Sequence, residues 1–321
     1  MKKSFIAALA IAALGASSAF ATVQLGIPND ATNGARAIKL LEKAGLITVD
    51  PAAGFSPELK DITGTVYDVE VVPVAANTLP STLDDFAAST INGTYAIPAG
   101  FVPSRDALII EKQDEGAENP FVNIIACRAG EKDNPVFQKI VSAYQTQLVA
   151  QFILVRFKEA YFPAWKYEPK FEVPENFVES YVGYQSSKDG KTVVKLGVCG
   201  SAHDQWDVVQ KILDDRGDNI YIQLVEFDAY NLPNEALNSG EIDLNAFQHK
   251  AYLNKEIASQ GYKLEVAGDT IMAPLSLYSR KVRPSTSSRR WRARNKTVNS
   301  KPTQRPEDTK TQRKNTRKSA S

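Results

Sequence analysis

Leu232–Tyr252 reads LPNEALNSGEIDLNAFQHKAY and compresses a short helix, a strand and the start of a second helix into one segment. The strand runs from Ile242 to Phe247 and leads directly into a helix that starts at His249. In open α/β sheets small ligands sit at this junction, outside the carboxyl end of a strand and against a helix N-terminus. The junction also gathers Phe247, His249 and Tyr252, so it reads as half of a ligand site.

Outward from this stretch, strand and helix signals alternate. Upstream lie a strand at Val193–Cys199, a helix at His203–Arg216 with Trp206, Val209, Ile212 and Leu213 inward, and a strand at Ile220–Phe227. Downstream come a helix to Gln260 and strands at Tyr262–Ala267 and Ile271–Ser279. The first half follows suit: a strand at Thr22–Ile27, then Pro28-Asn29-Asp30 as a breaker with capping side chains, then a helix from Asn33 stopped by Gly45. Strands are expected at Val69–Val74, Ala87–Asn92, Asp106–Glu111 and Phe121–Arg128, a short helix at Leu79–Asp85, and one or two helices over Asn134–Phe157. Leu79-Pro80, Leu83 and a strand closing on Asn92 echo Leu232-Pro233, Leu237 and a strand closing on Asn245. Such regular alternation predicts an α/β protein of two lobes on one plan, each a parallel twisted sheet with helices on both faces. Lys166–Thr192 has little periodicity and is read as a linker.

The 321 residues, 43% of them hydrophobic, suffice for one or two sizeable cores. The net charge of +1 hides an asymmetry: residues 280–321 hold 15 Lys or Arg against two acids, a net +13, so the rest carries −12. That tail has almost no aliphatic residue and is expected to stay outside any core. Met1–Ala21 has the form of a secretory signal, with Lys2 and Lys3, an apolar run from Phe5 to Leu14, and small residues flanking Phe20. The mature chain is therefore expected outside the cytoplasm, periplasmic or extracellular. Cys127 and Cys199, the only thiols, form either a disulfide or two buried free cysteines. No metal-ligand spacing, glycine-rich phosphate loop or nucleophile elbow occurs, so no cofactor, no metal and no catalysis are expected.

Leu232–Tyr252, with VEFDAY at Val225–Tyr230 before it and GYKLEVAGDTIMAPLSLY at Gly261–Tyr278 behind it, resembles the methionine-binding periplasmic proteins, also called the NlpA lipoprotein family. A second stretch, Val23 to Trp165, resembles the other half of that family through IPNDATNGARAIKLLEKAGLI, NTLPSTLDDFAASTING and NPFVNIIACRAGEKDNP. The family's first half thus stands second here, a permuted order. The resemblance implies a two-lobed binding protein: residues 22–97 as lobe II, 98–165 and 193–279 as the two parts of lobe I, 166–192 as linker, and 280–321 as a basic tail. One lobe-to-lobe connection is expected to be lost at the break. The family's lipid anchor needs a cysteine at the cleavage site, and the first cysteine is Cys127.

The resemblance also implies a site for a free amino acid. Arg36 would grip the ligand carboxylate with both prongs of its guanidinium, Asn92 and Asn123 would bond the ligand backbone, and Tyr230, Phe247, His249 and Tyr252 would form an aromatic and imidazole wall suited to methionine. Without it, Arg36 reads as a surface cation whose place in a first helical turn calls for a nearby anion, Phe247 and Tyr252 as core, Asn92 and Asn123 as strand-end residues, and His249 as a helix cap. The function implied is capture of methionine or a close analogue for an ABC importer, the permease being the protein partner. Three rivals stand beside it: an exported enzyme, a nucleic-acid binder acting through the tail, and a rearranged or frameshifted fragment with no intact site. No nucleic-acid partner is expected. Ala251 and Ala35 depart from the family, which usually has proline and often glycine there.

Overall fold

The computed structural model describes residues 22–66, 68–112, 119–158 and 160–282. The signal-like segment, all of the basic tail beyond Val282, and the calls made on them lie outside the described residues. No helix among the described residues is long and apolar enough to cross a membrane.

Two mixed sheets organise the chain. The first has five strands in the order Val69–Val74, Val23–Pro28, Ala88–Ile91, Ser276–Tyr278, Ile109–Ile110. The second has six, in the order Ile220–Phe227, Thr192–Cys199, Leu244–Asn245, Val122–Arg128, Leu264–Met272, Phe162–Pro163. The first three strands of each sheet are parallel, as expected, and the next strand in each is antiparallel. The wholly parallel sheet predicted from alternation is therefore corrected. Each antiparallel strand enters from the other lobe, so it arrives from the opposite direction.

The two sheets repeat one plan down to single residues. Val23–Pro28 and Thr192–Cys199 hold equivalent central places, carrying Leu25-Gly26-Ile27 and Leu196-Gly197-Val198. A Cβ on Gly26 would stand 2.6 Å from Ser89 Oγ, and one on Gly197 would stand 2.6 Å from Ile242 Cδ1. Glycine at both points lets the neighbouring layer close on the strand.

Lobe boundaries differ from those expected. Ile109–Ile110 and Ser276–Tyr278, assigned to lobe I, pair with each other in the five-stranded sheet of lobe II. Among the described residues, the chain leaves lobe II after Ile109–Ile110, is in lobe I from Val122 to Met272, and returns at Ser276, so two lobe-to-lobe connections are present where one was expected to be lost. Leu79–Asp85 forms turns, not a helix: the Ser81 and Thr82 hydroxyls both donate to Thr78 O, offering the backbone a local alternative. Leu79 and Leu83 are nevertheless fully buried.

The linker 166–192 has no helix or strand before Thr192, which opens the strand Thr192–Cys199, yet it is docked on lobe I. Phe177 is buried in the main core beside Phe152, Asp207 accepts from Gly183 N–H, and Asp214 accepts from Lys191, Ser186 and Tyr184. Its aromatics seal a face of the helices Gln147–Arg156 and Gln205–Asp215. Cys127 and Cys199 are both buried and free, which decides against the disulfide alternative. Burial pushes the Cys127 thiol up to about 12, leaving it a core thiol at neutral pH.

Candidate functional site

Between the lobes lies a small, partly open cavity. All seven residues singled out from sequence line it: Arg36 and Asn92 from lobe II, and Asn123, Tyr230, Phe247, His249 and Tyr252 from lobe I.

Asn33 joins them, a residue the sequence reading passed over. Asp30 caps the helix Ala31–Lys43 by accepting from Asn33 N–H at 2.8 Å, and its carboxylate also holds Asn33 Nδ2. This turns Asn33 Oδ1 toward the cavity, where it accepts from Arg36 Nη1 at 2.9 Å, Asn92 Nδ2 at 3.1 Å and His249 Nε2 at 3.4 Å. Spacing alone carried a signal: Asn33 and Arg36 stand three apart on one helix face.

Arg36 is 5% exposed and does face an anion, but the anion belongs to the protein. Its Nε and Nη2 donate to Glu111 at 3.0 and 2.5 Å, and Nη2 also donates to Ala273 O at 3.1 Å. The expected two-pronged grip on a ligand is therefore corrected, because the Nε–Nη2 edge is occupied by Glu111. With Nη1 also bound to Asn33, four of the five guanidinium N–H bonds are placed, which leaves one on Nη1 of a side chain that lines the cavity. Phe121 stacks under the guanidinium at 4.7 Å and meets His249 edge-on at 5.3 Å. Phe121 was not foreseen either, although it stands two residues before Asn123, at the turn that leads into the strand Val122–Arg128.

His249 is 5% exposed and does cap the helix Lys250–Gln260. Its Nδ1 accepts from Tyr252 N–H at 3.0 Å, which places the ring proton on Nε2, toward Asn33 Oδ1. The cap and wall readings are thus both true of it geometrically. Burial, and then the Arg36 charge, hold the imidazole well below its ordinary pKa of 6.5, so it is neutral. The unfolded chain binds that proton more readily, so this contribution to stability is present above pH 6.5 and is lost as pH falls below it. We expect acid to lower the melting temperature below pH 6.5 and His249→Gln to flatten that slope; an identical slope in the variant would contradict this neutral, buried imidazole.

The wall is a continuous aromatic cluster. Tyr230 lies 5.8 Å from Phe247 and 6.2 Å from Tyr252, and Tyr252 lies 6.0 Å from Phe247, all centroid to centroid. Burial raises the phenols of Tyr230 and Tyr252, which stay neutral. Asn92 Oδ1 is buried, lacks a hydrogen-bond partner among the described residues, and belongs to a side chain lining the cavity. Asn123 sits on the strand Val122–Arg128 and bridges to the backbone of His249. At the departure Ala251, the N–H donates to Pro120 O at 2.9 Å, a bond proline would lack.

The lobes touch above the cavity. Tyr95 Oη donates to Asp228 O across the cleft, and a Cβ on Gly93 would stand 2.9 Å from Tyr161 Cε1. Helix N-termini at Asp30 and His249 bring positive potential to opposite sides of the cavity. The arrangement thus offers one cationic donor, a buried amide acceptor and an apolar wall, a set of groups chemically complementary to a small zwitterion. It frames no nucleophile and base pair.

The profile of the NlpA lipoprotein family matches residues 21–165 and 194–287. The chain is 37% identical over 141 residues to outer membrane lipoprotein 3 of Mannheimia haemolytica, covering 44% of this chain and 52% of that relative. It is 37% identical over 128 residues to the D-methionine-binding lipoprotein MetQ of Escherichia coli K12, covering 39% and 46%. The chain spans about half the length of the curated relatives it matches. Among solved structures, it resembles a nutrient binding protein from Burkholderia cenocepacia bound to methionine, with 35% identity, a TM-score of 0.39, and coverage of 43% of this chain and 56% of that one.

Proposed function

The chain belongs to the NlpA lipoprotein family, and from that membership we propose that it is an extracytoplasmic solute-binding protein that captures methionine and presents it to an ABC importer. The observation that carries this reading is the meeting of Arg36 and His249, from different lobes, on one cavity with a shared partner in Asn33 Oδ1. The ligand carboxylate is assigned to the remaining Nη1 donor of Arg36, and its ammonium to the open acceptor Asn92 Oδ1 with Asn123 beside it. The thioether chain lies against Tyr230, Phe247 and Tyr252, where sulfur over ring edges contributes about 0.3–1.5 kcal/mol per contact. The relative described as a D-methionine-binding lipoprotein supports the ligand class. Binding is stoichiometric, with no turnover: the lobes close over the ligand and release it on opening.

The test is a thermal-shift comparison across free amino acids. At a hundredfold excess over Kd, linkage stabilises by about 2.7 kcal/mol, a rise of roughly 4–5 °C for a chain of this size. A rise with L- or D-methionine and none with glycine or aspartate is expected; no rise with either methionine isomer would refute the proposal.

We further propose that the halves stand in permuted order. Supporting this, Ser279 Oγ donates to Ala87 O while Ala87 N donates to Gln24 O, so residues beside Thr22 and Val282 are separated by one strand start. A gene joining Val282 to Thr22 through a short linker and opened within 166–192 is expected to give a folded, methionine-responsive protein. Insoluble product, or a folded one with no response where the parent responds, would count against permutation.

A further inference from the structure

Three carboxamides form a ring beside the cavity: Asn234 and Asn245 lie behind its lining, and Gln248 reaches it. Asn234 and Asn245 are fully buried and Gln248 is 3% exposed. Asn245 Nδ2 donates to Pro233 O at 3.3 Å and to Asn234 Oδ1 at 3.0 Å. Gln248 Nε2 donates to Asn234 Oδ1 at 2.6 Å and to Asn245 Oδ1 at 3.0 Å, and Asn234 Nδ2 returns a bond to Gln248 Oε1 at 2.8 Å. Every carbonyl accepts and every amide group donates. The sense of the ring is fixed, because Pro233 O can only accept.

Resting on the methionine reading above, we propose that Asn234, Asn245 and Gln248 are positioning residues: a closed carboxamide ring that sets the ligand-facing wall by holding Phe247 and His249 at its edge. Gln248 lies between those two residues; all three line the cavity, and the Gln248 side chain enters the ring. Its backbone carbonyl accepts from Ile124 N at 3.0 Å, tying the same turn to the strand that carries Asn123. The ring joins the helix Pro233–Ser239, the strand Leu244–Asn245 and the turn before His249. A satisfied buried network of this kind specifies one arrangement, and removing one donor strands an acceptor in a low-dielectric interior.

The ring needs amides and not acids, which gives a chemical test. In Asn234→Asp the Nδ2 donor becomes an oxygen facing Gln248 Oε1; ionised, that carboxylate only accepts, and protonated, it can donate again. Ionisable groups on the elements packed around the ring are otherwise engaged or exposed: Glu235 is exposed, Arg128 binds Leu237 O and Ile242 O and pairs with Glu131, Asp243 accepts from Lys195 N, Lys195 Nζ reaches Glu241 O, Glu265 accepts from Gly130 N, and Lys250 pairs with Asp269. His249 keeps both ring nitrogens on other partners. Methionine affinity of Asn234→Asp in the full chain should fall about tenfold or more relative to the parent at pH 8, and the variant-to-parent ratio should recover at pH 5. Asn245→Asp, whose new oxygen would face Pro233 O and Asn234 Oδ1 away from the cavity lining, should show the same acid rescue, as an independent variant. Parent-like affinity at pH 8, or a loss that acid leaves unchanged, would overturn the proposal. Should the parent itself not bind methionine, the functional reading fails, and the near-ultraviolet circular dichroism of the aromatic wall then tests the ring. Variant spectra departing from the parent at pH 8 and returning at pH 5 support it; spectra unchanged at both overturn it.

Discussion

Arg36→Ala is expected to remove methionine binding and to destabilise the empty protein as well. The two effects have different sources. Arg36 is 5% exposed and paired with Glu111, whose side chain is 16% exposed. Deleting one partner of such a pair leaves a buried charge uncompensated, at a cost of about 3–5 kcal/mol. Binding loses a charge-assisted bond to the ligand carboxylate, about 2–5 kcal/mol, or roughly 30-fold to several thousandfold in Kd. The double variant Arg36→Met with Glu111→Gln separates them: stability should largely return, because both charges are gone, while binding stays lost. Recovery of methionine binding in that double variant would contradict the role given to the guanidinium. The design also probes closure, since Arg36 bonds Glu111 at one lobe crossing and Ala273 O at the other, and Glu111 accepts from Leu275 N.

Gly93→Val should hold the lobes apart. Gly93 begins a short helix at the end of the strand Ala88–Ile91, and its Cα faces the Tyr161 ring of the other lobe. A Cβ there would lie 2.9 Å from Tyr161 Cε1, with two further ring carbons at 3.7 Å, before the valine methyls are counted. Overpacking of this kind costs about 1–3 kcal/mol, and the open form escapes it by leaving Tyr161. Methionine affinity is therefore expected to fall by about 5- to 150-fold. The empty protein should keep its melting temperature and show a larger radius of gyration by small-angle scattering. Unchanged affinity would mean that the lobe contact at Gly93 is not part of the bound state.

Much of this architecture was legible in the sequence because strand and helix periods are local. The strand Val69–Val74 and the strand Ile220–Phe227 were read to the residue, and the helix after Asp30 was located by its capping aspartate. The paired Leu-Gly motifs at Leu25 and Leu196 carried the two-lobe plan in plain view and were not used. What stayed hidden was set by tertiary contact. Nothing near Glu111 announces a partner 75 positions away, and Asn33 gains its role only when Asn92 and His249 converge on the same oxygen. The antiparallel strands follow from where the chain crosses between lobes, which no local period encodes. The linker 166–192 lacks periodicity and still packs, because Phe177 and Tyr181 find an aromatic partner in Phe152.

Isothermal titration of the full chain with L-methionine, beside the Arg36→Met, Glu111→Gln double variant, tests the central claim that both lobes enclose one amino acid. The account predicts saturable heat at one ligand per chain in the parent and none in the double variant. Absence of heat in the parent, or equal affinity in both proteins, would contradict it.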